Sequence, residues 1–196
     1  NYFAKNLDID FSLDIPSISR FRVNVFVQRK GIAACFRLIP ETVCGLDELG
    51  LPEILKHISN YNNGLVIVTG PTGSGKSTTL ASMLNEINTN EAQHIITIED
   101  PIEFVHENKK SIIEQREIKS HTTSFKQALR SALREDPDVI LVGEMRDLET
   151  IAMAITGAET GHLVFGTLHT SGAANSVDRI IDAFPFEQQN QIRSQL

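Results

Sequence analysis

From Arg20 to Gln28 the chain alternates, with Phe21, Val23, Val25 and Val27 on one side and Arg20, Arg22, Asn24, Phe26 and Gln28 on the other. A two-residue period belongs to a half-buried strand, and Arg29-Lys30-Gly31 reads as the turn into a second strand, Ile32 to Leu38. Two hairpin strands cannot bury a core alone, so this stretch predicts the remainder of a truncated α+β domain. Leu51, Ile54, Leu55 and Ile58 then recur at helical spacing, with Pro52 allowed in the first turn. The segment Ser59-Asn60-Tyr61-Asn62-Asn63-Gly64 has the composition of a linker.

At Leu65 the pattern changes. Apolar strands at 65–69, 94–98, 112–115, 139–142 and 163–167 alternate with helical segments at 76–88, 124–135, 148–160 and 173–183, and a polar helical pattern runs from Glu187. Such alternation predicts βαβ units and a mainly parallel sheet. Phe125, Ala128, Leu129, Ala132 and Leu133 form the clearest apolar stripe, with Ser124 as N-cap, and Asp147 and Gly161 bracket the next helix. The expected organisation is residues 1–58 from a small α+β domain, a linker at 59–64, and an α/β domain over 65–196.

Composition narrows the partners. The formal net charge is −7 and no basic cluster exceeds two residues, as at Lys109-Lys110, which counts against a non-specific nucleic-acid binder. The two cysteines, Cys35 and Cys44, lack metal-ligand spacing and are expected as free thiols in a reducing compartment. No apolar run approaches the roughly 18 residues of a membrane span, and no signal-peptide pattern opens the chain, so a cytoplasmic protein is expected. The chain lacks an initiating Met and stops inside a helical pattern, which predicts an internal fragment of a longer protein.

Residues 70–78 carry the sharpest chemistry: Gly70-Pro71-Thr72-Gly73-Ser74-Gly75-Lys76-Ser77-Thr78, between a β-branched strand and a helix. Glycines let backbone amides converge on phosphate oxygens, and the helix start adds its positive dipole end. Lys76 is placed for the β- and γ-phosphates of a nucleoside triphosphate and Ser77 for Mg²⁺. Val139-Ile140-Leu141-Val142-Gly143-Glu144 ends a buried strand in an acid, although Gly143 stands where a Walker B element usually has Asp. Glu144 is therefore the candidate acid near Mg²⁺. Thr97-Ile98-Glu99-Asp100-Pro101-Ile102-Glu103 places three carboxylates at the carboxyl end of a strand, where ligands of parallel sheets bind. Glu103 is the candidate water-activating base, while Glu99 and Asp100 also suit a turn before Pro101. His162 and His169 flank one strand, and His169, at its carboxyl end, is a candidate phosphate sensor. Arg22 and Arg37 on the N-terminal strands, and Arg130 and Arg134 one turn apart on a helix, are candidate cations at a domain or subunit boundary.

The ordered set GPTGSGKSTT, TIEDPIEF, ALREDPDVILVGEMRD and ETGHLVFGTLHT resembles the PilT family of type IV pilus retraction motors, within the wider secretion ATPases. RFRVNVFVQRKG and FRLIP also look like the last strands of that family's PAS-like N-terminal domain. The resemblance implies a RecA-like P-loop core with ATP bound at Gly70 to Thr78 and Mg²⁺ as cofactor. It also implies a catalytic Glu103, a Walker B acid Glu144, His-box residues His162 and His169, and nucleotide-reaching Arg22 and Arg37. It implies further a homo-hexameric ring, peripheral at the inner-membrane base of the pilus machine. There it acts on a platform protein and, through it, on pilin, without contacting nucleic acid. Two relatives of the same class compete, a pilus-extension ATPase and a type II secretion ATPase. A RecA-like nucleic-acid translocase is disfavoured by the acidic balance, and a non-hydrolysing switch by the second acid.

Overall fold

The alternating segment becomes the middle strand of an antiparallel sheet. The computed structural model describes residues 2–40 and 42–196. A short helix α1 (Tyr2–Asn6) leads into β1 (Asp8–Ile15), β2 (Ser19–Gln28) and β3 (Gly31–Ile39), ordered β1-β2-β3. Phe11 and Phe36 oppose Val23, which is fully buried, while Ser12 and Arg37 oppose Arg22 on the polar face. The sheet thus has one strand more than the hairpin expected. Asp8, Asp10 and Asp14 weaken the strand signal of β1, and pairing with β2 overrides their low propensity.

The second sheet is parallel throughout, as expected. Its strands are β4 (Gly64–Thr69), β5 (His94–Glu99), β6 (Ile112–Glu117), β7 (Val139–Val142) and β8 (Leu163–Leu168), in the order β4-β8-β7-β5-β6. Alternate residues of each central strand serve opposite faces. Ile96, Ile98, Ile140, Val142 and Val164 pack under α4 (Phe125–Ala132), α5 (Leu148–Glu159), α6 (Ala173–Asp182) and α7 (Phe186–Gln195). Ile95, Val139, Leu141, Leu163 and Phe165 pack under α3 (Lys76–Asn90). Burial on both faces is why these strands read as unbroken apolar runs.

Three expected boundaries move. Helix α2 (Ile54–Ser59) starts after Pro52 and contains Ser59, while Gly64 opens β4, so the linker expected at 59–64 shrinks to residues 60–63. Leu46, Leu51, Leu55 and Ile58 pack with Leu80, Met83 and Leu84 of α3, and Ser82 Oγ donates to the Cys44 carbonyl at 2.6 Å. Residues 44–58 therefore pack with α3 beside the larger sheet. Helix α4 stops at Ala132, short of the expected 135. Asp136 adopts a positive φ of 55° before Pro137, a residue pair incompatible with a continuing helix, and Glu135 is drawn to Arg116 at 2.8 Å. The caps match expectation: Ser124 Oγ accepts from the Gln127 amide at 3.2 Å and Asp147 Oδ1 from the Thr150 amide at 2.9 Å. Among the described residues no helix is long and apolar enough to cross a membrane.

Candidate nucleotide site

All five strands of the larger sheet end on one edge, and there β4 passes into the glycine-rich loop. Gly70 has φ 147°, and a Cβ on it would lie 2.7 Å from Ser74 Oγ, so both the turn and the close approach exclude a side chain. Among the described residues the amides of Gly73, Gly75, Lys76 and Ser77 have no hydrogen-bond partner. Lys76 is buried, and its Nζ donates to the Gly70 carbonyl at 2.9 Å and the Pro71 carbonyl at 3.0 Å. Orphaned amides at a helix start beside an ammonium suit a polyphosphate, whose oxygens can take over from the loop carbonyls.

Behind the loop, Ser77 shares a cavity of about 30 Å³ with Glu99, His106, Gly143 and Thr167. Glu99 accepts from Thr97 Oγ1 at 2.7 Å, Gln115 Nε2 at 3.3 Å and the Glu103 amide at 3.4 Å. Burial nevertheless dominates and pushes its carboxyl up to about 7. Burial, helped by Lys109, also pushes His106 down to about 4, so its imidazole is neutral at pH 7. Because Glu99 titrates above its ordinary 4.5, the folded state binds the extra proton between pH 4.5 and about 7. Stability therefore falls as pH rises through that window and is level above it. In nucleotide-free protein, Glu99→Gln is expected to remove this loss, up to about 3 kcal/mol between pH 4.5 and 8. Denaturant melts of both proteins at the two pH values check it, and an identical pH slope in the variant would contradict it.

Glu103 is half-buried and sits one residue past Ile102, with its amide on Glu99. Glu144 follows β7, and the glycine before it has a packing cause. A Cβ on Gly143 would lie 3.1 Å from the Ile98 carbonyl and 3.3 Å from Glu99 Cα, so the Asp of the usual Walker B pattern would require the β5 backbone to give by a few tenths of an ångström. Thr167 Oγ1 donates to the Gly143 carbonyl. The Glu144 carboxylate is paired with Arg146 and lies 3.3 Å from His169 Nε2. No cluster of three or more His, Cys, Asp or Glu among the described residues is set to hold a metal alone. Mg²⁺ at Ser77 and Glu144 would thus lean on phosphate oxygens and water, its ordinary preference.

Other candidates lie elsewhere. His162 occupies the amino end of β8, where its Nδ1 is 2.9 Å from the Gly157 carbonyl and its own carbonyl accepts from the Gly64 amide. That is a strand length, roughly 20 Å at 3.3 Å per residue, from the loop edge, so the structure separates it from His169. Arg134 falls beyond the end of α4 and no longer shares a helix face with Arg130; both are exposed. Arg22 and Arg37 oppose each other across β2 and β3, and neither makes an ion pair among the described residues. Like charges so placed destabilise a strand pair, which suits a site that receives an anion. Arg20, two residues before Arg22 and on the same face, reaches Glu117 of the larger sheet at 3.0 Å. The Arg22 face is thereby turned toward the larger sheet.

Glu99, set aside in sequence as a turn cap, lines the cavity, and Arg20, Glu117 and Thr167 carried no expectation. A signal existed for Glu99 alone: the last residue of a buried parallel strand points into the crevice.

The family model described as "Type II/IV secretion system protein" matches residues 8–196. The chain is 62% identical over 194 residues to the "Twitching motility protein" of Neisseria gonorrhoeae, covering 99% of this chain and 52% of that protein. It is 59% identical to the "Type IV pilus retractation ATPase PilT" of Pseudomonas aeruginosa, over 99% of this chain and 56% of that one. A crystal structure of the pilus retraction motor PilT with bound ADP superposes with a TM-score of 0.96 at 54% identity, covering 100% of this chain and 57% of its own. The chain thus spans little more than half the length of these relatives.

Proposed function

The chain belongs to the type II/IV secretion system protein family, and from that premise we propose that it is the nucleotide-handling part of an ATP-driven motor that retracts a type IV pilus. In this reading Gly70 to Thr78 hold Mg·ATP, Lys76 neutralises the β- and γ-phosphates, and Ser77 with Glu144 supports the metal. Mg²⁺, when bound, would offset charge on the phosphate oxygens. Glu103 orients and deprotonates the attacking water, while His169 holds Glu144 in place. Arg22 and Arg37 supply cations from the smaller sheet as it closes on the nucleotide. Subunits assemble as a homo-hexamer, with exposed Arg130 and Arg134 and half-buried His162 at boundaries between them. The ring works at the cytoplasmic face of the inner membrane, on a platform protein and through it on pilin. The names of the two relatives, for twitching motility and for retraction, favour retraction over pilus extension or type II secretion.

One observation carries the reading: unpartnered loop amides and the Lys76 ammonium lie on the same sheet edge as Glu103 and Glu144. In the full-length protein Glu103→Gln is expected to keep Mg·ATP affinity within about threefold while turnover falls by about 10²-fold or more. Glu144→Ala is expected to raise the Mg²⁺ concentration needed for half-maximal turnover. Equal, large losses of ATP affinity in both variants would contradict the roles assigned.

A further inference from the structure

Glu117 ends the edge strand β6, is only 3% exposed, and has no part in the chemistry described above. A buried carboxylate is tolerated only where it is paired and its lone pairs are filled, and here every donor is identifiable. Oε1 accepts from Ser12 Oγ at 3.0 Å and from Ser120 Oγ at 2.9 Å. Oε2 accepts from Arg20 Nη2 at 3.0 Å, from Ser12 Oγ at 3.2 Å and from the Ile102 amide at 3.1 Å. Arg20 Nη2 also donates to Ser12 Oγ at 3.1 Å, so the three groups close a ring of hydrogen bonds.

These donors belong to two bodies. Ser12 lies on β1 and Arg20 on β2 of the smaller sheet, whereas Ile102 precedes the candidate base Glu103 in the acid loop of the larger one. The Glu103 amide in turn donates to Glu99, so the loop is anchored by Glu117 on one residue and Glu99 on the next. One oxygen of one carboxylate therefore holds both the smaller sheet and the backbone beside the base.

We propose that Glu117 is a positioning residue, which with Arg20 forms a clasp that makes the placement of Glu103 depend on the seating of the N-terminal sheet. Withdrawing Arg20 leaves a buried carboxylate short of its counter-charge. The carboxylate then shifts toward water and releases the Ile102 amide, and the acid loop slackens. Since Arg22 shares the Arg20 face, a seated sheet presents its cations and tightens the base together. The catalytic half of this inference rests on the ATPase reading, and the structural half does not.

The test uses full-length Arg20→Ala, Arg20→Lys, Glu117→Gln and the double variant Arg20→Ala/Glu117→Gln. Amide hydrogen exchange across 100–104 in nucleotide-free protein is expected to quicken at least tenfold in Arg20→Ala and to return toward wild type in Arg20→Lys. Turnover is expected to fall tenfold or more in Arg20→Ala and Glu117→Gln, with KM for ATP within threefold. The double variant is expected to be no slower than the worse single one, because both remove the same clasp. Unchanged exchange at 100–104 in Arg20→Ala would overturn the clasp whether or not the protein hydrolyses ATP. Quickened exchange with unchanged kcat in an active enzyme would overturn its effect on the base. Absence of turnover in the wild-type protein would count against the ATPase reading alone, leaving exchange to decide the clasp. Should Arg20→Ala fail to fold, Ser12→Ala takes its place in the exchange comparison, with the same expected quickening and the same overturning result.

Discussion

Lys76→Ala in the full-length protein is expected to lower ATP turnover by about 10³-fold or more while the chain still folds. The ammonium is the only side-chain cation in residues 70–78, and it is held at the loop by two backbone carbonyls. Phosphoryl transfer draws its rate from positioning and from cations that match charge on the equatorial oxygens, so one lost cation weighs heavily. The fold has little stake in it. The apolar packing of α3 comes from its Leu80, Met83, Leu84 and Ile87, not from the lysine, so stability is expected within about 1 kcal/mol of wild type. Phosphate release and a denaturant melt on the same preparation check both halves, and wild-type turnover would end the P-loop assignment.

The second large effect is expected from the smaller sheet. Arg22→Ala and Arg37→Ala are each expected to cut turnover by about 10³-fold, the scale of an arginine delivered to a transferring phosphoryl group. Stability is expected to stay level or rise slightly, because truncating one member removes a like-charge pair worth roughly 0.2–1 kcal/mol across β2 and β3. A residue that served the fold would show the opposite pattern, with lower stability and turnover retained. Near-wild-type kcat in both variants would show that the larger sheet completes its site without them.

Much of this was readable from the chain. The parallel strands were visible because burial on both faces makes them continuous apolar runs, and the phosphate loop because a fixed glycine and lysine spacing sits between strand and helix. Caps at Ser124 and Asp147 were equally local. What escaped depends on contacts between segments distant in sequence. The strand Asp8–Ile15 carries three aspartates and is held by β2, while Leu46 and Leu51 read as a domain end and pack on α3. Arg134 looked helical until Asp136-Pro137 stopped α4 early. Glu117 sits in an ordinary edge-strand sequence, and only the approach of Arg20, 97 residues earlier, gives it a task. The Gly143 departure from the usual motif became explicable once β7 was seen pressed against Ile98 and Glu99.

The central claim is that the two sheets of one chain complete the site, with the loop and acids from the larger sheet and Arg22 and Arg37 from the smaller one. The most direct measurement mixes two inactive full-length variants, Lys76→Ala and Arg22→Ala, in equal amounts and follows phosphate release after the rings re-form. In a randomly mixed ring roughly one interface in four joins an intact loop to a neighbour's intact arginine, but every single chain lacks one or the other, so mixed rings are expected to stay as inactive as either parent. Recovery toward a quarter of wild-type turnover in mixed rings verified by mass would contradict a site completed within one chain.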